Sequence, residues 1–242
     1  PMAGDDTTPE GEQVNIYGNH VGSWNFAATA YLNRWKVKIY YEHYFDDHSQ
    51  MFFQYGRWKD GHIGLEITFP KNRFIDTFVY EGLGTKDQTG PMLYDSFWGK
   101  FEEQISAKDN YYNHYLYQGW QHWGMGIGNP LLPGPIYNKN GQITFISNRV
   151  LAHHIGFCGS PCQSLSYRML LSYSRHWGTY DNPLNEIKKQ FNSLFEVTYA
   201  PQQLKGWSFT VSGAMDRGNL LGNNYGGMLV IRKQGIIKSG NK

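Results

Sequence analysis

The 242-residue sequence predicts an all-β protein, an antiparallel up-and-down transmembrane β-barrel with short periplasmic turns and long extracellular loops. Three observations predict it. The first is the stretch Trp35 to Phe45. Trp35, Val37, Ile39 and Tyr41 share one parity, and Lys36, Lys38, Tyr40 and Glu42 share the other. Strand side chains alternate faces, so one face suits an apolar medium and the other water. A run of about ten residues is what a tilted strand needs to cross a bilayer. A half-buried strand of a soluble β-sandwich alternates in the same way. The second is composition. Charged residues are 17%, aromatics 17%, and glycines number 28, while mean hydropathy is −0.57. Low charge, many glycines and many aromatics with alternation instead of apolar runs suit an outer-membrane barrel, and also a sugar-binding β-domain. The third is the connections. Short ones follow Leu32, Phe69, Cys158 and Ala200; long ones follow Phe45, Leu83, Trp177 and Met215. In a meander, alternate connections lie on opposite rims, and outer-membrane barrels sort their loops this way.

The chain divides into a loop or leader over residues 1–19, a barrel domain over 20–235 and a tail over 236–242. A strand runs over Ser23–Leu32, with Trp24, Phe26, Ala28 and Ala30 on one face. Asn33–Arg34 leads into the Trp35 strand. Ile63, Leu65, Ile67 and Phe69 mark the next, Pro70 to Arg73 turn the chain, and Phe74–Leu83 follows. A long loop over 84–110 and an aromatic-rich stretch to residue 148 precede a strand over Arg149–Phe157. Leu165, Tyr167, Met169, Leu171 and Tyr173 alternate with Ser166, Arg168, Ser172 and Ser174. Residues 177–189 read as a loop with one helical turn over Leu184–Lys189. Strands around Phe191–Tyr199, Trp207–Met215 and Tyr225–Lys233 complete the set. These strands make an odd count, whereas single-chain bacterial barrels have an even one. A strand is therefore expected upstream, unless Val14–Tyr17 supplies it. The sequence reads as the C-terminal part of a larger barrel or, failing that, as a closed barrel of ten to twelve strands.

Net charge is +2, which implies neither a nucleic-acid nor an acidic-lipid partner. No window approaches 18 consecutive apolar residues, so no membrane helix is predicted. The polar, turn-rich first dozen residues are not a signal peptide, and the sequence reads as a processed product or an excerpt. Cys158 and Cys162 flank Gly159, Ser160 and Pro161. They read either as a disulfide closing a small turn or as two free thiols. No metal site and no cofactor is predicted.

Candidate binding residues come from the long loops. The stretch Asp109 to Asn140 is dense in Tyr, Trp, His and Asn, with glycines at 119, 124, 126 and 128. Sugars stack on aromatic faces and hydrogen-bond to amides and carboxylates, and this composition supplies both. Tyr and Trp also sit at the interfaces of any such barrel. The candidate stacking platforms are Tyr94, Trp98, Tyr111, Tyr112, Trp120 and Trp123, with Asp95, Glu102, Glu103, Asn113 and His114 as hydrogen-bond partners. The alternating glycines lack the lysine and the βαβ context of a nucleotide loop. Lys36, Lys38, Glu42, Glu66, Arg168, Glu196 and Asp216 fall on the polar parity of their strands and are candidate lumen-lining residues. Catalysis is not expected. Ser172 and Ser174 lie on a polar face, no Gly-x-Ser-x-Gly elbow is present, and no Ser–His pair marks a lipid-facing rim. Glu102, Glu103 and Asp95 could pair for glycoside hydrolysis, but they fall in one loop where solvated acids are expected.

Several stretches resemble the Wzi-type capsule-assembly outer-membrane proteins. They are Lys86 to Pro91, Asp109 to His114, Gly119 to Leu132, Leu170 to Tyr180 and Asp216 to Gly222. The resemblance spans most of residues 18–233. It implies a large outer-membrane barrel acting as a non-catalytic surface lectin that attaches exported capsular polysaccharide. Partners would then be capsular or other surface polysaccharide, outer-membrane lipid, and an N-terminal barrel half or partner chain. Family members are about twice this long, and the chain lacks the terminal aromatic that many barrels carry. The alternatives are a pore for small solutes, an outer-membrane hydrolase and a soluble β-sandwich lectin.

Overall fold

The computed structural model describes residues 22–45, 60–72, 74–87, 90–93, 105–107, 110–113 and 120–235. Nine strands form one sheet: β1 (Gly22–Leu32), β2 (Trp35–Phe45), β3 (Gly61–Thr68), β4 (Thr77–Gly84), β9 (Val150–Cys162), β10 (Leu165–Gly178), β11 (Pro183–Tyr199), β12 (Trp207–Gly218) and β13 (Asn224–Lys233). Their order is β1-β2-β3-β4-β9-β10-β11-β12-β13 and every pairing is antiparallel. Between β4 and β9 lie two small hairpins, β5 (Gly90–Leu93) with β6 (Ile105–Ala107) and β7 (Gln121–His122) with β8 (Met125–Gly126), and a 3-10 turn over Pro135–Tyr137. The chain is therefore an all-β, up-and-down antiparallel meander. Among the described residues the sheet does not close on itself. No described helix is long and apolar enough to cross a membrane.

Register turns the period-two pattern into continuous rows. Ala30, Val37, Ile67, Phe78, Phe157, Met169 and Phe195 lie opposite one another across seven strands. A slip of one residue in any strand would move its whole set to the other face. This apolar face stays uncovered: Phe26, Ile39, Ile63, Phe195, Val211 and Leu229 are all exposed. The buried apolar residues instead form a small cluster of Leu83, Leu132, Phe145, Val150 and Ala152. That cluster sits where the chain between β4 and β9 folds against the polar side of the sheet.

The connections refine the two-rim expectation. The long ones, 46–60 and 85–149, leave the same rim. The other two on that rim are short, Thr179–Asn182 and 219–223. The reason lies in the ladder: β10 and β11 keep pairing to Gly178↔Pro183, past a register shift at His176. Leu184–Lys189, read as a helical turn in the sequence, is thus strand. Six residues gain little as a lone helical turn, and here they extend a pairing already formed. On the opposite rim, residues 69–76 make a wider turn than Pro70–Arg73. Asn72 holds it, accepting from the backbone N–H of Phe74 and Ile75 at 2.8 and 2.9 Å and donating to the Ile75 carbonyl at 2.7 Å.

Cys158 and Cys162 are both free thiols. Strand β9 runs through them, and four residues of strand span about 13 Å, whereas a disulfide needs Cα atoms within about 7 Å. Of the two readings of their spacing, the free thiols hold and the disulfide-closed turn does not form. Residues 1–19 and 236–242, with the Val14–Tyr17 strand, lie outside the described residues.

Candidate functional site

The polar face carries a second continuous row. Tyr40, Gly64, Glu81, His154, Ser172, Asn192 and Asp216 lie opposite one another from β2 to β12. Strand pairing alone brings these residues together. Side chains then join along the row. The Tyr40 hydroxyl donates to Glu81, passing over Gly64, where a Cβ would collide with the Tyr40 ring. His154 Nδ1 and Ser172 Oγ are 2.6 Å apart, and Asn192 Nδ2 donates to Asp216 Oδ1 at 2.7 Å. One step toward the loop rim, Ser23 donates to Glu42 at 2.6 Å. His62 sits between two carboxylates, 3.7 Å from Glu42 and 3.4 Å from Glu81. Two steps the other way, Lys36 lies 3.8 Å from Glu66 of the intervening row, and Arg168 lies 2.8 Å from Glu196.

All seven residues named from sequence as lumen-lining share this face: Lys36, Lys38, Glu42, Glu66, Arg168, Glu196 and Asp216. The acid–base pairing along it was not legible beforehand, because it depends on which strands are neighbours. Tyr40 was already placed on this parity by the sequence, though not named as lumen-lining; His62, Glu81, His154 and Asn192 were missed, and parity with register places them here.

The chain between β4 and β9 folds over the loop-rim end of this face. Residues 110–113 and 120–149 are anchored by buried polar side chains. Asn148 donates to Asn110 Oδ1 at 2.5 Å and to the Tyr111 carbonyl at 2.7 Å. The Tyr111 hydroxyl donates to buried Asp60 at 3.0 Å, and Asp60 also accepts from the Asp87 N–H at 2.9 Å. Asn113 makes two bonds with the backbone of Phe145, both 2.8 Å. Thr85 accepts from the Val150 N–H and donates to the Asn148 carbonyl, fixing where the insert rejoins the sheet.

These anchors correct part of the sequence reading. Tyr111 is buried, with its hydroxyl on Asp60, so its ring is no open stacking platform, and half-buried Asn113 engages its amide with the backbone of Phe145. Tyr112 packs on Phe145 with ring centroids 5.1 Å apart, and its hydroxyl accepts from the Asn129 N–H. Trp120 stands edge-on to Tyr112. Of the described aromatic candidates only Trp123 stands clear, 85% exposed at the tip of the β7–β8 hairpin. Tyr94, Asp95, Trp98, Glu102, Glu103 and His114 lie outside the residues whose side chains are described.

Between insert and sheet lies an open cavity of about 540 Å³. Its sheet side is Ser23, Glu42, Tyr44, His62, Glu81 and His154; its insert side is Tyr112 and Gly128 to Leu131. Neither Lys nor Arg is among the described lining residues. A second hollow of about 310 Å³ continues along the face past His154 and Ser172 to Arg168. The arrangement offers hydroxyl, imidazole, carboxylate and amide groups to a polar guest, with the ring of Tyr112 on the insert side and that of Tyr44 on the sheet side. The Ser172–His154 pair also has the reach of a nucleophile and base. The carboxylate opposite His154, however, is occupied by Tyr40 and His62. Among the described residues no group of three or more His, Cys, Asp or Glu could hold a metal ion.

No protein-family profile and no curated protein matches the chain. Among solved structures it is similar to the crystal structure of Pseudomonas aeruginosa OccK10 (OpdN), at 10% identity and a TM-score of 0.49. The similarity covers 93% of this chain, which spans 56% of that one.

Proposed function

We propose that this chain forms wall of an outer-membrane β-barrel, and that its polar face lines a channel for small polar solutes narrowed by the inward-folded insert. Two features support the membrane reading. The apolar face exposes row upon row of large hydrophobic side chains, which water would not tolerate and lipid would. Strands β1, β2, β12 and β13 are 10 to 12 residues long, close to the span of a tilted membrane strand. The observation that carries the channel reading is the 540 Å³ cavity between the polar face and the insert. It leaves room for a solute against a hydrogen-bonding wall, and in a closed barrel the insert beside it would narrow the bore. In planar lipid bilayers the protein should conduct ions. A variant with residues 122–142 replaced by a short Gly-Ser linker should conduct several-fold more per channel. Absence of conductance, or an unchanged value in the shortened variant, would overturn the reading.

A second reading follows from Trp123. A large aromatic, almost fully exposed and with a left-handed backbone (φ 53°), fits a stacking platform for surface polysaccharide, as the Wzi-type resemblance implies. Trp123→Ala should then reduce polysaccharide retention on cells at unchanged barrel yield, with conductance unaltered. Full retention would remove this reading and leave the channel untouched.

A further inference from the structure

The apolar face of the sheet changes character toward the loop rim. In mid-sheet it carries Phe78, Phe157, Met169 and Phe195. The same parity, followed to the loop rim, reaches Lys86 just after β4, Arg149 just before β9, Arg175 on β10, Lys189 on β11 and Arg217 on β12. Five neighbouring strands thus each bring one cation to this end of the face. Arg175 and Lys189 lie directly opposite each other. Nearer the rim Lys86 and Arg149 meet, and Arg149 Nε donates to the Lys86 carbonyl at 3.1 Å. Like charges placed directly opposite destabilise a sheet. Among the described residues none of these five cations has a carboxylate within ion-pair distance.

Aromatic rings hold the charges together. The Trp177 N–H donates to the Arg149 carbonyl at 3.0 Å, which sets its indole among the cations. Lys86 Nζ lies 4.9 Å and Arg175 Cζ 5.3 Å from the centroid of that ring, and Arg149 Cζ lies 5.1 Å from the Tyr180 ring. A ring attracts a cation through its quadrupole but does not neutralise it. Two cations on one indole, with two more beside them, call for an anion of more than one charge. Among the described residues Arg175 makes no side-chain hydrogen bond and Arg149 uses only Nε, so both keep the paired N–H groups that fit phosphate oxygens. Farther from the rim the face turns apolar again through Leu151, Ile155 and Leu171. A free anion matches the cations alone, whereas a phosphate-bearing lipid matches both zones.

Resting on the membrane reading above, we propose that Lys86, Arg149, Arg175 and Lys189 bind the phosphate groups of an outer-leaflet lipid whose acyl chains lie along Leu151, Ile155 and Leu171. In that reading the rim with the long loops faces outside, which sets these cations at the headgroup level of the outer leaflet. Cations cost little at that depth, in contrast to mid-membrane. The net charge of +2 hides the site, because charge is sorted by face. The acids of β4, β9, β10, β11 and β12 are Glu81, Glu186, Glu196 and Asp216, and all fall on the polar parity.

Titration of the full-length protein, in a neutral detergent, with diphosphoryl lipid A tests this, with bound lipid read by native mass spectrometry. The Arg149→Gln/Arg175→Gln variant should bind about tenfold more weakly or worse. Lys71→Gln, which removes a cation at the turn rim, should bind as the parent does. Should the double variant fail to fold, Lys86→Gln and Lys189→Gln carry the same prediction at about fivefold each. Unchanged affinity in the loop-rim variants would overturn the proposal. So would equal binding of lipid A stripped of its phosphates, or full competition by inorganic phosphate, which would mark a site for the free anion. A protein that stays in solution without detergent would overturn the membrane reading itself, whatever the titration shows.

Discussion

The sheet and the insert that folds over it are built on opposite plans. The sheet is held by backbone ladders and turns its large hydrophobic side chains outward, so that Val211 in mid-strand is 61% exposed. The insert, residues 110–113 and 120–149, has little regular structure. It holds the buried hydrophobic cluster with Leu83 and Ala152, and it is fastened by side-chain amides. The sheet's stability therefore depends on what medium lies outside it. The insert's stability depends on single side chains.

Phe145 gives the sharpest contrast. It is 2% exposed, packs on Tyr112 and is bracketed by the Asn113 amide. Phe145→Ala should weaken docking of the insert by about 3–5 kcal/mol, the usual cost of emptying a buried aromatic site. Proteolysis should then cut within 120–146 while hydrogen exchange in β9 to β13 stays slow. Global unfolding at the same substitution would break the comparison, because it would make the insert part of the sheet's own core.

The converse test lies on the apolar face. Val211→Arg should destabilise the protein in phospholipid vesicles by about 2–4 kcal/mol, as a charge facing lipid at mid-membrane does. Ala214→Arg, on the polar face of the same strand, should cost far less. Denaturant titration in vesicles reads both. Equal costs would mean the two faces meet the same medium. At the junction of the two regions, Asn148→Ala should cost about 1–3 kcal/mol, because the Tyr111 carbonyl loses its buried donor. Faster exchange confined to residues 110–113 and 145–149 is the expected signature.

The same division governs what the sequence revealed. The sheet is legible because period-two alternation is clear in β2, β3 and much of β10, and all seven residues named as lumen-lining fall on one face. What alternation omits is the partner: that β4 meets β9 across the insert, and so Glu81 meets His154, cannot be read from either strand. The insert is legible only as composition. Tyr111, Asn113 and Trp123 look alike as aromatic or amide residues in one rich stretch. Yet the first two are fasteners and the third stands in solvent, because burial there is set by long-range contacts with Asp60 and Phe145 that follow no period.

Trp123 sharpens the comparison at its smallest scale. The hairpin His122-Trp123-Gly124-Met125 has positive φ at both central residues, 53° and 79°, the pattern of a type I′ turn. That turn favours Asn-Gly, and the glycine is in place. A tryptophan held in the left-handed region costs about 1 kcal/mol or more. Its indole lies 85% exposed, so little burial offsets that cost. Trp123→Asn should therefore stabilise the hairpin by about 1 kcal/mol, slowing exchange of the β7 and β8 amides by about fivefold. The ladders of the large sheet should not change. Slower exchange together with lost polysaccharide retention would show that the strain is kept for binding. Faster exchange would mean that the indole supports the hairpin through contacts that outweigh its backbone cost.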